Sequence, residues 1–256
     1  MSDSNAYIRS LILADPLQKR ALRSAVQTLG LPVDSRGLDA GCGIGLQMQL
    51  LAEAIGPAGH VTGLDISAEL LAHAEERVKK SGMSGTFSFR QGDVRDMPFD
   101  DGTFDWVWSS SCAGYAPMEP VPLLKELGRV VKPGGLVAII AWSSETLLPG
   151  RPVLEARLGA TSSGIAPFGR GRAPQHHFLR ALGWFHETGM IDPRAGVFAD
   201  CVFAPLEDGV RAALVSLFES RWKNVASELS PEDLAEYERL CLETSPDFIL
   251  DLPDYY

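Results

Sequence analysis

Between Pro32 and Trp142, short apolar runs ending in glycine or aspartate alternate with amphipathic stretches, and this pattern restricts the fold more than any other feature. The first four segments are Gly37 to Ala40, Leu46 to Ile55, His60 to Asp65 and Ala68 to Lys80. The short runs suit strands and the longer stretches suit helices. Strand, helix, strand, helix in sequence is the pattern of a parallel sheet. It continues with strands over Thr86 to Arg90 and Phe104 to Ser109, a helix over Val121 to Val131 and a fifth strand over Leu136 to Trp142. Pro133-Gly134-Gly135 is expected as the turn that stops this helix before the fifth strand. The fold class is therefore α/β, with a mostly parallel twisted sheet flanked by helices.

The flanks read differently. Residues from about Tyr7 to Leu29 space Leu11, Leu17, Leu22, Val26 and Leu29 for a helical cap, which Pro16 should split into two pieces. From Ser143 to Gln175 periodicity gives way to Gly, Pro, Ser and Arg, a length that suggests a lid. A helix is expected over His176 to Thr188, a sixth strand over Gly196 to Leu206, and helices over Glu207 to Ser245, restarting at Ser230-Pro231-Glu232-Asp233. The ending DFILDLPDYY leaves a seventh strand open, because Pro253 removes a ladder donor. With 256 residues and 45 % hydrophobic content the chain reads as one domain, residues 1–256. Its parts are a cap over 1–30, a core over 31–142, a lid and substrate region over 143–198, and a sixth strand with C-terminal helices over 199–256.

The chemistry centres on LDAGCGIG, Leu38 to Gly45, between a predicted strand and a predicted helix. Gly41, Gly43 and Gly45 permit a sharp turn and close approach of a ligand, while the next helix directs free N–H groups toward it. A tight strand-to-helix turn would look similar. Asp65, twenty residues after Gly45 and at the end of the next strand, can accept hydrogen bonds from both hydroxyls of a ribose. After the third strand, Asp93 can accept from an adenine amino group, with Ile66 and Val94 on the faces of the ring. A dinucleotide fingerprint wants a glycine three after Gly43, where this chain has Leu46.

With these residues in view, the sequence resembles the class I S-adenosylmethionine-dependent methyltransferases, particularly the small-molecule group similar to quinone-biosynthesis C-methyltransferases. LDAGCGIG, GLDIS, QGDVRDMPF, DGTFDWVWSS and ELGRVVKPGGLVAII carry the likeness, in order, from Leu38 to Trp142. The resemblance implies a Rossmann-like sheet and S-adenosyl-L-methionine as cofactor. Asp39 and the loop Gly41, Cys42, Gly43 and Gly45 would hold the methionine part, and Asp65 the ribose. Asp93 with Val94 would hold the adenine, and the Ser109 carbonyl would accept from the amino group. Cys42 reads as a small residue packed under the cofactor, and Cys112 as a pocket wall.

Methyl transfer from a sulfonium depends on positioning and needs a base only when the nucleophile arrives protonated. Tyr115 and Glu119, beyond the fourth strand, occupy the segment that in such a fold would face the methyl, with an ordinary loop as the alternative. His176 is a candidate base or hydrogen-bond donor, although a surface histidine is the plainer alternative. Arg170 and Arg172 are a possible carboxylate clamp or an ordinary solvated pair. Trp106 and Trp108 read as core.

Other classes are disfavoured. After the fourth strand the chain reads SSSCAGY, without the paired prolines of DNA amino-methyltransferases; no cysteine follows a proline; and Ser109, Ser110 and Ser111 stand where a metal-dependent O-methyltransferase needs an acid. No metal is expected, and the four scattered cysteines read as reduced. A formal charge of -10 disfavours nucleic acid. No run approaches the roughly 20 apolar residues of a membrane span, and no signal peptide is visible, so a cytoplasmic monomer or homodimer acting on a small molecule is expected. The alternatives are a nicotinamide-dependent oxidoreductase and a non-catalytic nucleoside-binding module.

Overall fold

Five parallel strands run β3-β2-β1-β4-β5 across the sheet. They are β1 (Arg36–Ala40), β2 (His60–Asp65), β3 (Phe87–Gln91), β4 (Phe104–Ser110) and β5 (Val131–Ile140). The computed structural model describes residues 3–82, 86–113, 118–164 and 173–256. The chain builds outward from β1 through β2 to β3, then returns to the other side of β1 for β4 and β5. Strand order therefore reverses between β1 and β4, and the crevice at the carboxyl ends there is where open α/β sheets bind ligands. Central strands are buried on both faces: Leu38, Ala40, Val61, Leu64 and Val107 are fully enclosed. This is why they read as continuous apolar runs rather than as alternating ones.

Helices α2 (Met48–Ile55), α3 (Ala68–Ser81) and α4 (Pro120–Arg129) supply three of the four crossovers, and the one from β3 to β4 carries no helix. Ser67 Oγ accepts from the Leu70 N–H at 3.3 Å and starts α3, which stops at Gly82 in the left-handed region. Leu50 and Leu51 of α2 pack in the same buried cluster as Trp106 and Trp108. The two tryptophans are core, as their place on β4 suggested.

Three expectations need correction. Helix α1 (Asp3–Thr28) runs unbroken through Pro16. A mid-helix proline costs about 3 kcal/mol, but α1 lies against α2 and against α7 (Asp208–Arg221) and buries Ile8, Leu22, Ala25 and Val26. Apolar burial on that scale outweighs one lost hydrogen bond. Second, Pro133-Gly134-Gly135 lies inside β5, not ahead of it. Phe104 pairs with Val131 and Trp106 with Leu136, so the ladder passes over Lys132 to Gly135 as a bulge. Gly134 has φ +80, and a side chain at Gly135 would strike the Asp105 carbonyl.

Third, no strand is formed over residues 196–206. The alternation is real: Phe198, Val202, Ala204 and Leu206 turn inward, while Val197 and Phe203 are exposed. What is missing is a ladder, since β5 pairs only with β4 and the Ala204 N–H donates to the Tyr255 carbonyl. Among the described residues there is no seventh strand either; Ile249–Asp251 is a 3₁₀ turn.

Beyond β5 the chain forms α5 (Pro152–Gly159), α6 (Ala181–Glu187), α7 and α8 (Pro231–Cys241). Ser230 Oγ accepts from the Asp233 N–H at 3.1 Å, the cap its sequence position predicts. Leu154, Leu158, Leu214, Phe218, Trp222, Leu240 and Phe248 close a further core, separate from the two clusters on the sheet. Helix α5 falls within the segment expected as a lid, whose residues 165–172 lie outside the described ones. No helix among the described residues is long and apolar enough to cross a membrane.

Candidate cofactor and acceptor site

The glycine loop leaves β1 at the point where strand order reverses. Gly41 and Cys42 donate their N–H groups to the Leu64 carbonyl at 2.8 and 2.9 Å, which pins the turn to the end of β2. Gly41 has φ +81, and a side chain there would fall on the Cys112 sulfur. Only glycine meets both demands. Gly43 donates to Asp65 Oδ2 at 2.9 Å, and the Ser67 N–H donates to Asp65 Oδ1 at 2.9 Å. Asp65 thus ties the loop to the start of α3 with one lone pair on each oxygen, leaving the others for ligand hydroxyls. Gly45 donates to the Cys42 carbonyl at 2.9 Å and closes the loop.

Gln47, which sequence reasoning missed, anchors the far end. Its Oε1 accepts from Trp108 Nε1 at 2.6 Å and its Nε2 donates to Ser110 Oγ at 2.9 Å. Within a predicted helix it looked like any first-turn glutamine. Ser109 Oγ donates to the Ala40 carbonyl at 2.8 Å, binding the carboxyl ends of β1 and β4 together.

Asp39 is 2 % exposed, and no hydrogen bond reaches its carboxylate among the described residues. Burial, and then the neighbouring charge of Asp65, push it up to about 7. A buried carboxyl with unused acceptors beside a backbone loop is suited to an incoming ammonium group. The same burial, with Asp39 and Asp65 nearby, pushes the Cys42 thiol far up, and burial raises Cys112 as well. Neither is a ready thiolate. Partial burial and the charges of Asp65 and Cys112 also raise the hydroxyl of Tyr7, which stands more than half exposed at the start of α1. Sequence periodicity marked that helix but not this residue.

On the adenine side, Gln91 pairs with Asp65 across the β2–β3 ladder, which puts Asp93 one strand end away. Arg95 binds the Asp93 carboxylate through its backbone N–H at 2.8 Å and its guanidinium at 2.5 to 3.0 Å. The guanidinium holds the carboxyl below its ordinary range. Ile66 is exposed, and Val94 packs half-buried near the end of β4.

Of the three acceptor-side candidates, two come together: His176 Nε2 lies 3.2 Å from Glu119 Oε2. Tyr115, Arg170 and Arg172 lie outside the described residues. No group of three His, Cys, Asp or Glu side chains suited to a metal occurs among the described residues.

Residues 38–135 match the family described as "Methyltransferase domain". Demethylmenaquinone methyltransferases of Bacillus cytotoxicus and Staphylococcus carnosus are 34 % and 36 % identical over 131 and 130 residues, 51 % of this chain in each case. Those alignments take in 54 % and 51 % of the two relatives, so the chain spans about half the length of the curated relatives it matches. A crystal structure of a SAM-dependent methyltransferase from Aquifex aeolicus superposes with a TM-score of 0.57 at 22 % identity, over 77 % of this chain and 94 % of that one. A Methanococcus maripaludis protein described as an S-adenosyl-L-methionine-dependent methyltransferase gives 0.57 at 18 %, over 79 % and 93 %. The fold is that of the class I S-adenosylmethionine-dependent methyltransferases. Residues 38–135 match the methyltransferase domain, and about half of the chain is similar to demethylmenaquinone methyltransferases.

Proposed function

We propose that this protein transfers a methyl group from S-adenosyl-L-methionine to an O, N or C atom of a small-molecule acceptor. The observation that carries the reading is the glycine loop fastened to Asp65 beside a buried Asp39 whose carboxylate has no hydrogen-bond partner among the described residues. When bound, the cofactor supplies an electrophilic methyl on sulfur. Asp39 and the Gly41 to Gly45 backbone, with Cys42 packed beneath, hold the amino-acid end, assisted by the Ser109 carbonyl. Asp65 holds the ribose, and Asp93, Ile66 and Val94 the adenine. Positioning the acceptor in line with sulfur provides most of the acceleration.

The demethylmenaquinone methyltransferase relatives make hydroquinones and phenols the acceptors to examine first. The formal charge of -10 favours a small molecule over nucleic acid. A cytoplasmic monomer or homodimer fits this reading. The experiment is incubation with methyl-labelled S-adenosyl-L-methionine and a panel of aromatic hydroxyl compounds, amines and carboxylates, followed by mass spectrometry. Label in a product is expected. Tight NAD binding, with no binding of S-adenosylhomocysteine, would replace this reading with the oxidoreductase one.

A further inference from the structure

Two adjacent histidines precede α6, and they are used differently. His177 Nδ1 accepts from the Leu179 N–H at 3.3 Å and its ring stacks on Phe178, with centroids 4.6 Å apart. That is local capping. His176 instead directs Nε2 at Glu119 Oε2, 3.2 Å away, and no hydrogen bond reaches its Nδ1 among the described residues. Glu119 is the residue before α4, yet its carboxylate does not cap that helix. The two side chains come from segments far apart in sequence.

Their location is fixed by what flanks them. Phe178, two residues beyond His176, is buried in the cluster that holds Leu38, Ala40 and Leu64 of β1 and β2 and Ala113 beyond β4. Met118, next to Glu119, packs half-buried in that cluster with Val94 and Cys112. The segments that carry the pair therefore pack into the buried cluster that includes Val94 and Cys112, and the Cys112 sulfur lies against Gly41 of the glycine loop. One-third exposure of the His176 side chain leaves its ring accessible to a ligand.

We propose that His176 is the general base of the reaction, held by Glu119 as a positioning residue, and that the acceptor is a hydroxyl compound that arrives protonated. This rests on the methyltransferase reading above. In the reacting complex the Glu119 carboxylate, an ion-pair neighbour 3.2 Å from Nε2, accepts from Nε2–H, which fixes the tautomer and leaves Nδ1 as the acceptor. Nδ1 takes the hydroxyl proton of the acceptor. The acceptor's oxygen, or the ring carbon made nucleophilic by that ionisation, forms a bond to the methyl carbon. The S–C bond breaks with its electron pair going to sulfur; where carbon is the nucleophile, the ring then loses its C–H proton as the oxygen is reprotonated, so in either case one methyl replaces one proton and no redox change occurs. Other ionisable groups on the surrounding elements are His177, Arg180, His186 and Glu187 after the pair, with Lys125, Glu126 and Arg129 on α4. Glu126 and Arg129 are bound to each other.

The test combines a spectroscopic readout with a kinetic one. Long-range ¹H–¹⁵N correlation of the imidazoles, with His176→Asn identifying the signal, should show His176 in wild type as the Nε2–H tautomer, and Glu119→Gln should disperse it into a mixture. With 1,4-naphthohydroquinone and catechol as probes, His176→Asn should lower methyl transfer by about 100-fold or more. Its S-adenosylhomocysteine affinity should change less than twofold, and added imidazole should restore part of the rate. An Nδ1–H tautomer, a tautomer indifferent to Glu119→Gln, or a His176→Asn rate equal to wild type would each overturn the proposal. The tautomer decides the matter even where neither probe is turned over. Failure of wild type to bind S-adenosylhomocysteine would instead remove the methyltransferase reading, so the two failures are separable.

Discussion

The sheet half of this molecule is built around two buried clusters and the C-terminal helical half around one, and the halves differ in what fixes the packing. In the first, Leu38, Ala40 and Leu64 come from strands whose neighbours are set by parallel crossovers, and Asp65 then ties the loop by two backbone hydrogen bonds. In the second, Phe218, Trp222, Phe248 and Tyr255 meet through packing of helices with an irregular tail, held at the edges by ion pairs such as Arg211 with Glu243 and Asp251. The relatives match the first half. The chain beyond β5 lies outside the matched residues, and the sheet half carries the loop proposed to hold the cofactor.

The largest test of that division is Phe218→Ala. Phe218 is buried, with its ring centroid 4.9 Å from that of Trp222 and 6.2 Å from that of Phe248. Its truncation should cost about 3–5 kcal/mol of stability in a denaturant titration. S-adenosylhomocysteine affinity, measured at a temperature where the variant is folded, should stay within threefold of wild type. Loss of affinity would show that the two halves form one functional unit.

Asp65→Ala is the complementary test on the sheet side. It removes the ribose acceptor and leaves the Gly43 and Ser67 N–H groups without partners. Calorimetry should show cofactor affinity reduced about 100-fold, roughly 2.7 kcal/mol. The C-terminal core should unfold as before.

Asp39 gives a pH signature. Burial, reinforced by Asp65, raises its folded value to about 7. In the unfolded chain it ionises near the ordinary carboxylate value. Its contribution to stability is therefore fully present below about pH 4 and is lost as pH rises to 7, by up to about 1.4 kcal/mol per unit. Asp39→Asn should accordingly melt higher than wild type above pH 4, by a margin that grows to pH 7. Binding of an ammonium requires the ionised form, so wild-type affinity for S-adenosylhomocysteine should rise about tenfold from pH 6 to 8 and that of the variant should stay flat.

The smallest effect expected is at Ser230, whose hydroxyl starts α8. Ser230→Ala should cost about 1 kcal/mol, confined to the C-terminal half, and should leave cofactor affinity unchanged. Hydrogen exchange that slackens in α8 alone would sharpen the distinction between the halves.

Much of the sheet half was legible because its signals are local. LDAGCGIG marked the turn, and the carboxylates Asp39 and Asp65 lie where strand ends predicted. The Ser230 cap was equally readable. What sequence could not show depends on long-range partners. Pro16 stays helical because α2 and α7 pack against α1, and the inward alternation of Phe198, Val202, Ala204 and Leu206 finds no ladder to join. Gln47 gained its role only when Trp108 and Ser110 came alongside. The Arg95 grip on Asp93 is local in sequence, yet nothing about the spacing showed that the guanidinium would turn back.

A crystal structure with S-adenosylhomocysteine bound tests the central claim most directly. The account predicts the ribose hydroxyls within hydrogen-bond reach of the Asp65 carboxylate, the amino group against Asp39, and the chain of the amino acid along Gly41 to Gly45. A nucleoside bound elsewhere, or turned so that Asp65 touches neither hydroxyl, would contradict it.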